Sequence, residues 1–388
     1  MAAPGMAPIP LSLELPDGAD VRATEALLSA MLHAAEGVSD LIFSPGRPPQ
    51  VEIHGQLVSI QVPRLPVLSA DHTRHIASDL IGNNKQAINT LREQGACDVS
   101  FGLPGKARFR VNVFIQRGSC AVVMRVIPTE IPDFATLNLP AQLAKIADLK
   151  NGIVLVTGAV GCGKSSTLAA ILDYINTHQS YHIITIEDPI EFLHNHKRST
   201  IHQRELHSDA PSIELALRAA LRQSPKVILI GEIRDRETLE TVLDAAETGH
   251  LVLSSMNTLD ATKTVRRFVT SFSPAEEASV RTRFAKSFRY IISQRLVPRA
   301  DGSARIPVLE ILKANVQTRA CIENGEREAH TLLKSMTSSA SEDMQYFDGE
   351  LAKLVSHGVV DIETALSYAT SPTALRAALG EGNEQNRH

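Results

Sequence analysis

One loop restricts the fold more than any other part of the chain. Residues Gly158-Ala159-Val160-Gly161-Cys162-Gly163-Lys164-Ser165 satisfy GxxxxGK[ST] at every fixed position. The apolar run Gly152-Ile153-Val154-Leu155-Val156 before the loop reads as a buried strand. The segment Ser166-Thr167-Leu168-Ala169-Ala170-Ile171-Leu172 after it carries apolar residues at helical spacing. Strand, glycine loop and helix in that order form the setting in which such a loop holds phosphate. Its backbone N–H groups curl round the anion, and Lys164 brings a charge to the β and γ phosphates. The Ser165 hydroxyl is placed to ligate Mg²⁺, with Ser166 beside it in the first helical turn.

The remaining composition narrows the class. A chain of 388 residues has room for two domains or more, and 43% hydrophobic residues suffice for real cores. A formal charge of -4 leaves no global basic footprint for nucleic acid. No apolar run approaches the ~20 residues needed to span a membrane. Residues 1–8 have neither a basic start nor a long apolar core, so no signal peptide is expected. Cys97, Cys120, Cys162 and Cys321 are far apart and include no C-x-x-C pair. Neither a zinc site nor a disulfide framework is expected, and a cytoplasmic protein with reduced thiols fits.

Residues 1–20, rich in Pro, Gly and Ala, read as a loose tail. A helix is expected over 24–36, ended by Gly37, followed by strands at 40–43 and 51–53 around the turn Pro45-Gly46-Arg47-Pro48-Pro49. Two helices, one after Ser69 and one ending near Gly95, lead to strands at 99–101, 107–114 and 121–127. This makes an α+β domain over 21–130, with 128–140 as its linker to the next. Strands at 153–156, 182–186, 227–230 and 251–254 then alternate with helices. That pattern implies an α/β domain over 131–380 with a mostly parallel sheet and helices on both faces. From about residue 326 the chain reads as helical, down to a polar tail at 381–388.

Polar residues cluster just after these strands, where ligands of such sheets sit. The second strand runs out into Glu187-Asp188-Pro189-Ile190-Glu191, and the third into Gly231-Glu232-Ile233-Arg234-Asp235. The usual metal-holding strand ends in Asp. Here Gly231 takes that place and Glu232 follows. Glu187 is therefore the candidate metal-side carboxylate, and Glu232 the candidate for aiming or deprotonating water. Asp188 and Glu191 read as solvated acids. Thr248-Gly249-His250 precedes the fourth strand and Met256-Asn257-Thr258 follows it. These polar groups are candidates for sensing a γ-phosphate, against a capping histidine and a turn asparagine. Arg108, Arg110 and Arg125 read by spacing as surface strand arginines. They would reach a phosphate only if their domain folds over the nucleotide or a neighbouring subunit supplies it. Arg281, Arg283, Lys286, Arg289, Arg295 and Arg299 form a basic run without an acid, either a solvated face or a subunit interface.

Together these stretches resemble the type IV pilus retraction ATPases, the PilT type of the secretion ATPase superfamily, from about residue 39 to 378. The resemblance is carried by Ser39-Asp40-Leu41, Gly46-Arg47-Pro48-Pro49, Arg108-Phe109-Arg110-Val111-Asn112 and the phosphate loop. It continues through Ile186 to Glu191 (the family's Asp box), Val227 to Asp235 (its atypical Walker B, also with glycine before glutamate), Ala246 to Val252 (the start of its His box) and Ser293-Gln294-Arg295-Leu296. It implies a PAS-like first domain, a RecA-like P-loop ATPase domain and a homo-hexameric ring with ATP and Mg²⁺ between the two domains. It further implies that Arg110 and Arg125, with Arg108, face phosphate, and that Glu232 is the catalytic base. His250 would read the γ-phosphate, and Ser165 with Glu187 would manage the metal.

The output implied is pilus retraction through an inner-membrane platform protein, from a cytoplasmic position at that membrane. One departure stands out: the family's second His-box histidine falls at Asn257, which hydrogen-bonds but does not take up charge near neutral pH. The paired-cysteine zinc insertion of pilus-assembly and type II secretion ATPases is missing, which favours retraction. The rivals are an assembly or secretion ATPase of the same superfamily, and a weakly hydrolysing accessory ring subunit.

Overall fold

The computed structural model describes residues 7–10, 21–63, 65–128, 130–327, 331–338 and 343–385. The chain forms two units: Met1–Glu130 with Pro189–Leu193 and His207–Asp209, and Ile131–Asp188 with His194–Leu206 and Ala210–His388.

The first unit contains β1 (Ile9–Pro10), α1 (Val21–Leu32), β2 (Val38–Phe43), β3 (Gln50–Ile53), β4 (Gln56–Gln61), α2 (Ala70–Ile81), α3 (Lys85–Gln94), β5 (Ala96–Leu103), β6 (Ala107–Gln116) and β7 (Ser119–Ile127). The strands form one sheet in the order β1-β4-β3-β2-β7-β6-β5, antiparallel except that β1 runs parallel to β4. Alternation in β6 buries Phe109, Val111 and Val113 against Leu27, Leu28 and Met31 of α1 and Ile76 and Leu80 of α2. The intervening Arg108, Arg110 and Asn112 stand on the opposite face. Capping fixes the helix starts: the Ser69 hydroxyl accepts from His72 N, and His72 Nδ1 accepts from Ser69 N, both at 3.1 Å.

The second unit contains β8 (Gly152–Thr157), α4 (Lys164–His178), β9 (His182–Glu187), β10 (Thr200–Glu205), α5 (Ile213–Ala220), β11 (Val227–Ile230), α6 (Arg236–Glu247), β12 (Leu251–Met256), α7 (Ala261–Thr270), α8 (Glu277–Ser287), β13 (Phe288–Pro298), β14 (Arg305–Lys313), α9 (Val316–Asn324), α10 (Leu332–Ser338), α11 (Phe347–Ser356), α12 (Ile362–Tyr368) and α13 (Pro372–Gln385). Its sheet order is β10-β9-β11-β12-β8-β13-β14, parallel but for the β13–β14 hairpin. Both faces are covered. Ile153 and Leu155 of β8 pack with α5 to α8, while Val154 and Val156 pack with α4 and a 3₁₀ turn, Ala141–Asp148. This is why β8, β11 and β12 are apolar at nearly every position. The α/β class expected from the sequence is borne out.

Several elements differ from the sequence expectation. Ile9 and Pro10 pair with Ile60 and Gln61 inside the stretch read as a loose tail, most of which lies outside the described residues. The first helix ends at Leu32, just past its last fully buried residue, Met31. α13 runs to Gln385, through most of the expected polar tail; 386–388 lie outside the described residues. The arginines of the basic run over 281–299 find partners within their own unit, because the run divides between a helix and a strand that face different partners. Arg283 meets Glu240, Asp244 and Glu247, Arg289 meets Asn151, and the Arg295 guanidinium lies 3.7 Å over the Phe347 ring.

Candidate nucleotide site

The phosphate loop leaves the carboxyl end of β8. Gly158 has φ +150, Gly161 +78 and Gly163 +88. A side chain at Gly158 would place Cβ 2.5 Å from both Cys162 Sγ and the Gln294 carbonyl oxygen. At Gly163 it would meet Gln294 Nε2 at 2.9 Å. Glycine is therefore required by φ and by space together. Gln294, almost fully buried, threads the loop: its Nε2 donates to the Cys162 carbonyl at 2.6 Å, and its Oε1 accepts from Thr167 Oγ1 at 2.7 Å. Beside it, Thr157 Oγ1 donates to Ser293 Oγ at 3.1 Å. Ala159, Val160 and Gly161 form the exposed crown of the loop, with Val160 87% accessible.

α4 begins at Lys164, and its N-cap is Gly163, which has no side chain to satisfy the first-turn N–H groups. These donors, the positive end of the helix and the Lys164 ammonium converge on one place, which fits a polyphosphate. Lys164 Nζ donates to the carbonyls of Gly158 and Ala159 at 3.0 and 2.9 Å, so the lysine lies along the loop. Ser165 and Ser166 are half-buried in the first turn of α4. Burial pushes the Cys162 thiol up, against the opposing charge of Lys164, which keeps it inert. Among the described residues no three His, Cys, Asp or Glu side chains form a ready metal cage. A hydroxyl with phosphate oxygens and retained water is the donor set that suits Mg²⁺.

Glu232 follows β11, two strands from β8 in the sheet order, or about 10 Å of strand spacing. The turn carrying it is pinned by Ser255, whose Oγ donates to the Gly231 carbonyl at 2.6 Å and whose own carbonyl accepts from Ile233 N at 3.0 Å. Both Glu232 oxygens are engaged. Arg234 Nε donates to Oε2 at 2.9 Å, and the Asn257 amide donates to Oε1. Arg234 also lies 3.6 Å from Asp188, and the Glu232 carboxylate beside it holds its guanidinium above the ordinary value. Gly231 N donates to the Ile186 carbonyl at 2.9 Å, which ties the ends of β9 and β11 together. Glu187, at the end of β9, accepts from Thr185 Oγ1 at 2.6 Å and Gln203 Nε2 at 3.1 Å. It stands three strands from β8, about 14 Å.

His250 corrects the sequence expectation. β12 runs parallel to β8, with Leu251 opposite Gly152 and Met256 opposite Thr157. His250 is therefore at the amino end of the sheet, about 20 Å from the loop that leaves its carboxyl end. Its Nδ1 bonds the Ala245 carbonyl at 3.0 Å, a capping arrangement, so it does not read the γ-phosphate held by its own chain's loop. Asn257 occupies the carboxyl end instead. By sequence, Asn257 is a candidate γ-phosphate sensor and the departure from the family, but not a partner of Glu232; Arg234 and Gln294 enter only within motifs. No periodicity signals side chains that touch across strands.

In the first unit, register lines up Ser100, Arg110, Arg125, Asp40 and Glu52 across five strands. Arg110 and Arg125 are directly opposed and exposed. Arg125 Nε donates to the nearly buried Asp40 at 3.0 Å, while Arg110 makes no ion pair among the described residues. Two cations facing each other cost stability unless an anion joins them.

The chain matches the model of the Type II/IV secretion system protein family over residues 54–365. It is 39% identical over 339 residues to the "Type IV pilus retractation ATPase PilT" of Pseudomonas aeruginosa, covering 87% of this chain and 96% of that protein. It is 37% identical over 362 residues to the "Type IV pilus ATPase PilU" of the same organism, covering 93% and 92%. Among solved structures, that of the pilus retraction motor PilT with bound ADP matches at a TM-score of 0.78 and 39% identity, covering 91% of this chain and 98% of that one. The resemblance seen in the motifs is thereby borne out, and the chain belongs to the Type II/IV secretion system protein family.

Proposed function

We propose that this chain is a Mg²⁺-dependent ATPase that works as a homo-hexameric ring and drives retraction of a type IV pilus through an inner-membrane platform protein. The observation that carries the reading is the loop: three glycines at positive φ, an N-cap without a side chain, and Lys164 beside them. Lys164 and the loop amides bind the β and γ phosphates. Ser165, in the first turn of α4, and Glu187, at the end of β9, are the residues that would hold Mg²⁺. When bound, Mg²⁺ neutralises charge on the β and γ oxygens. Glu232 orients the attacking water and takes its proton. Arg110 and Arg125, with Arg108, neutralise phosphate charge in the assembled ring. No helix among the described residues is long and apolar enough to cross a membrane, which suits a motor acting from the cytoplasmic side.

The test is steady-state ATP hydrolysis measured together with native mass. Mg²⁺-dependent turnover by a six-fold assembly supports the reading; correctly folded protein without affinity for Mg²⁺-ATP sinks it. Cells lacking the protein should be hyperpiliated and non-twitching, whereas loss of pili would assign it to assembly. The four cysteines are all free and scattered, which favours retraction over the zinc-bearing assembly enzymes. One observation supports a second reading, an accessory ring subunit of low turnover: both Glu232 oxygens are already held by donors of its own chain.

A further inference from the structure

The two donors on Glu232 differ in kind. Arg234 carries charge and has an alternative partner, because Asp188 lies 3.6 Å from its Nη1. Asn257 is neutral, follows directly on β12, and its amide reaches Glu232 Oε1. Only the NH₂ side of that amide faces a carboxylate favourably, so its orientation is determined. A water-activating carboxylate must keep its aim and also keep its basicity. A charged fork and a neutral amide both orient it, but only the fork has a second carboxylate within reach. The arginine is the donor with another carboxylate to turn to. The asparagine is the donor that stays.

We propose that Asn257 is the positioning residue for the water-activating step: it holds Glu232 by Oε1 throughout turnover, while Arg234 moves from Oε2 to Asp188 and frees that oxygen for the water. The proposal rests on Glu232 as the base and deepens that reading. Among the described residues, Glu232 is bonded by Arg234 on its own turn and by Asn257 after β12, and Asp188, just past β9, lies within reach of the same arginine.

Four variants of the full-length protein test this, each followed by ATP affinity and by kcat and KM from pH 5.5 to 9. Asn257→Ala should lower kcat about tenfold or more while KM for ATP stays within about twofold, because aim is lost and binding is not. Asn257→Asp sets a second carboxylate against Glu232 and should move the acid limb of the kcat profile upward by about one pH unit. Asn257→His should introduce a limb near neutral pH that the parent protein does not have. Wild-type kcat in Asn257→Ala, with unshifted profiles in the other two, would overturn the proposal. Glu232→Gln separates the layers. If it abolishes turnover while the Asn257 variants behave as wild type, only the positioning role fails. If it retains turnover, the base itself is misassigned and the positioning role falls with it.

Discussion

The two sheets keep their charge in opposite places. In the parallel sheet both faces are buried, and the polar groups of the candidate site sit at the strand ends. The loop after β8, Glu187 at the end of β9, Glu232 after β11 and Asn257 after β12 all lie beyond the last apolar residues of their strands. In the antiparallel sheet only one face is covered, and the open face carries Arg110, Arg125 and Asp40 in mid-strand, in register. A strand end concentrates groups from distant parts of the sequence by topology alone. An open face does so only through register, which leaves no trace in the local sequence. The first arrangement tolerates little change at its turns; the second depends on the balance of charge.

Glycines give the largest contrast. Gly158 needs φ +150, and its added Cβ would lie 2.5 Å from two neighbours, whereas a Cβ at Gly102 in β5 meets nothing within 4 Å. Gly158→Ala should weaken ATP binding at least about 100-fold, equivalent to about 3 kcal/mol. Gly102→Ala should leave both binding and melting temperature unchanged. A nucleotide titration and a thermal melt of each variant measure the difference. Equal behaviour would mean that the parallel sheet's turns are no more constrained than the open face.

That contrast also explains what was legible in the sequence. The strands 227–230 and 251–254 announce themselves because burial on both faces demands continuous apolar runs, and the loop announces itself because its glycines are sterically required. β10, with Thr200, His202, Gln203 and Arg204, lies at the sheet edge and has no such run. β13 lies inside a basic stretch whose arginines are satisfied one by one. His250 was misplaced because its motif was followed against the rule that ligands of parallel sheets sit at the carboxyl ends of the strands, although His250 precedes its strand. Asn257 and Arg234 were missed as partners of Glu232 because their meeting depends on the turn that Ser255 pins.

The second unit also holds two groups whose titration opposes, Glu310 within the sheet and the partly buried His194 in the connection between β9 and β10. Glu310 on β14 accepts from Ala261 N at 2.7 Å, with Ser293, Asp260 and Arg295 around it, and burial pushes it up to about 7. Folding therefore binds a proton between about pH 4.5 and 7, and this contribution to stability falls as pH rises through that window. His194 is the reverse. Burial holds it down to about 4, with Asp173 opposing and Lys197 adding to the effect, so stability is lost as pH falls from 6.5 towards 4. Each swing is at most about 3.5 kcal/mol, at about 1.4 kcal/mol per pH unit, and between 4.5 and 6.5 the two nearly cancel. Glu310→Gln keeps an acceptor for Ala261 and should unmask the acid-side loss, while melting above wild type at pH 8. His194→Gln should leave only the decline with rising pH. Melts at pH 5, 6.5 and 8 decide it; parallel curves for both variants would break the assignment.

On the open face the effects are smaller and depend on ions. Asp40→Asn removes the carboxylate from the row and leaves Arg110 and Arg125 opposed. The loss should be about 1 kcal/mol at low salt, shrinking as sodium chloride rises and recovered further by sulfate. A loss that ignores both salts would mean that Asp40 acts through packing, and the charge balance would not be what distinguishes this sheet.

Arg110→Gln gives the smallest change in stability and the sharpest test, because two roles predict different signs. An arginine that is merely a surface residue of β6 gives no change in either stability or turnover. An arginine held opposite Arg125 to meet a phosphate is a local liability, so removing it should stabilise the nucleotide-free protein by about 0.5 kcal/mol. The same substitution should lower kcat, because the charge that strained the empty sheet is the one offered to the phosphate. Melting without nucleotide and turnover with it should therefore move in opposite directions, and Arg110→Lys should restore part of each. If both fall together, the residue supports the fold. If neither moves, the open face of the antiparallel sheet is a solvated surface, and the chemistry belongs to the strand ends of the parallel sheet alone.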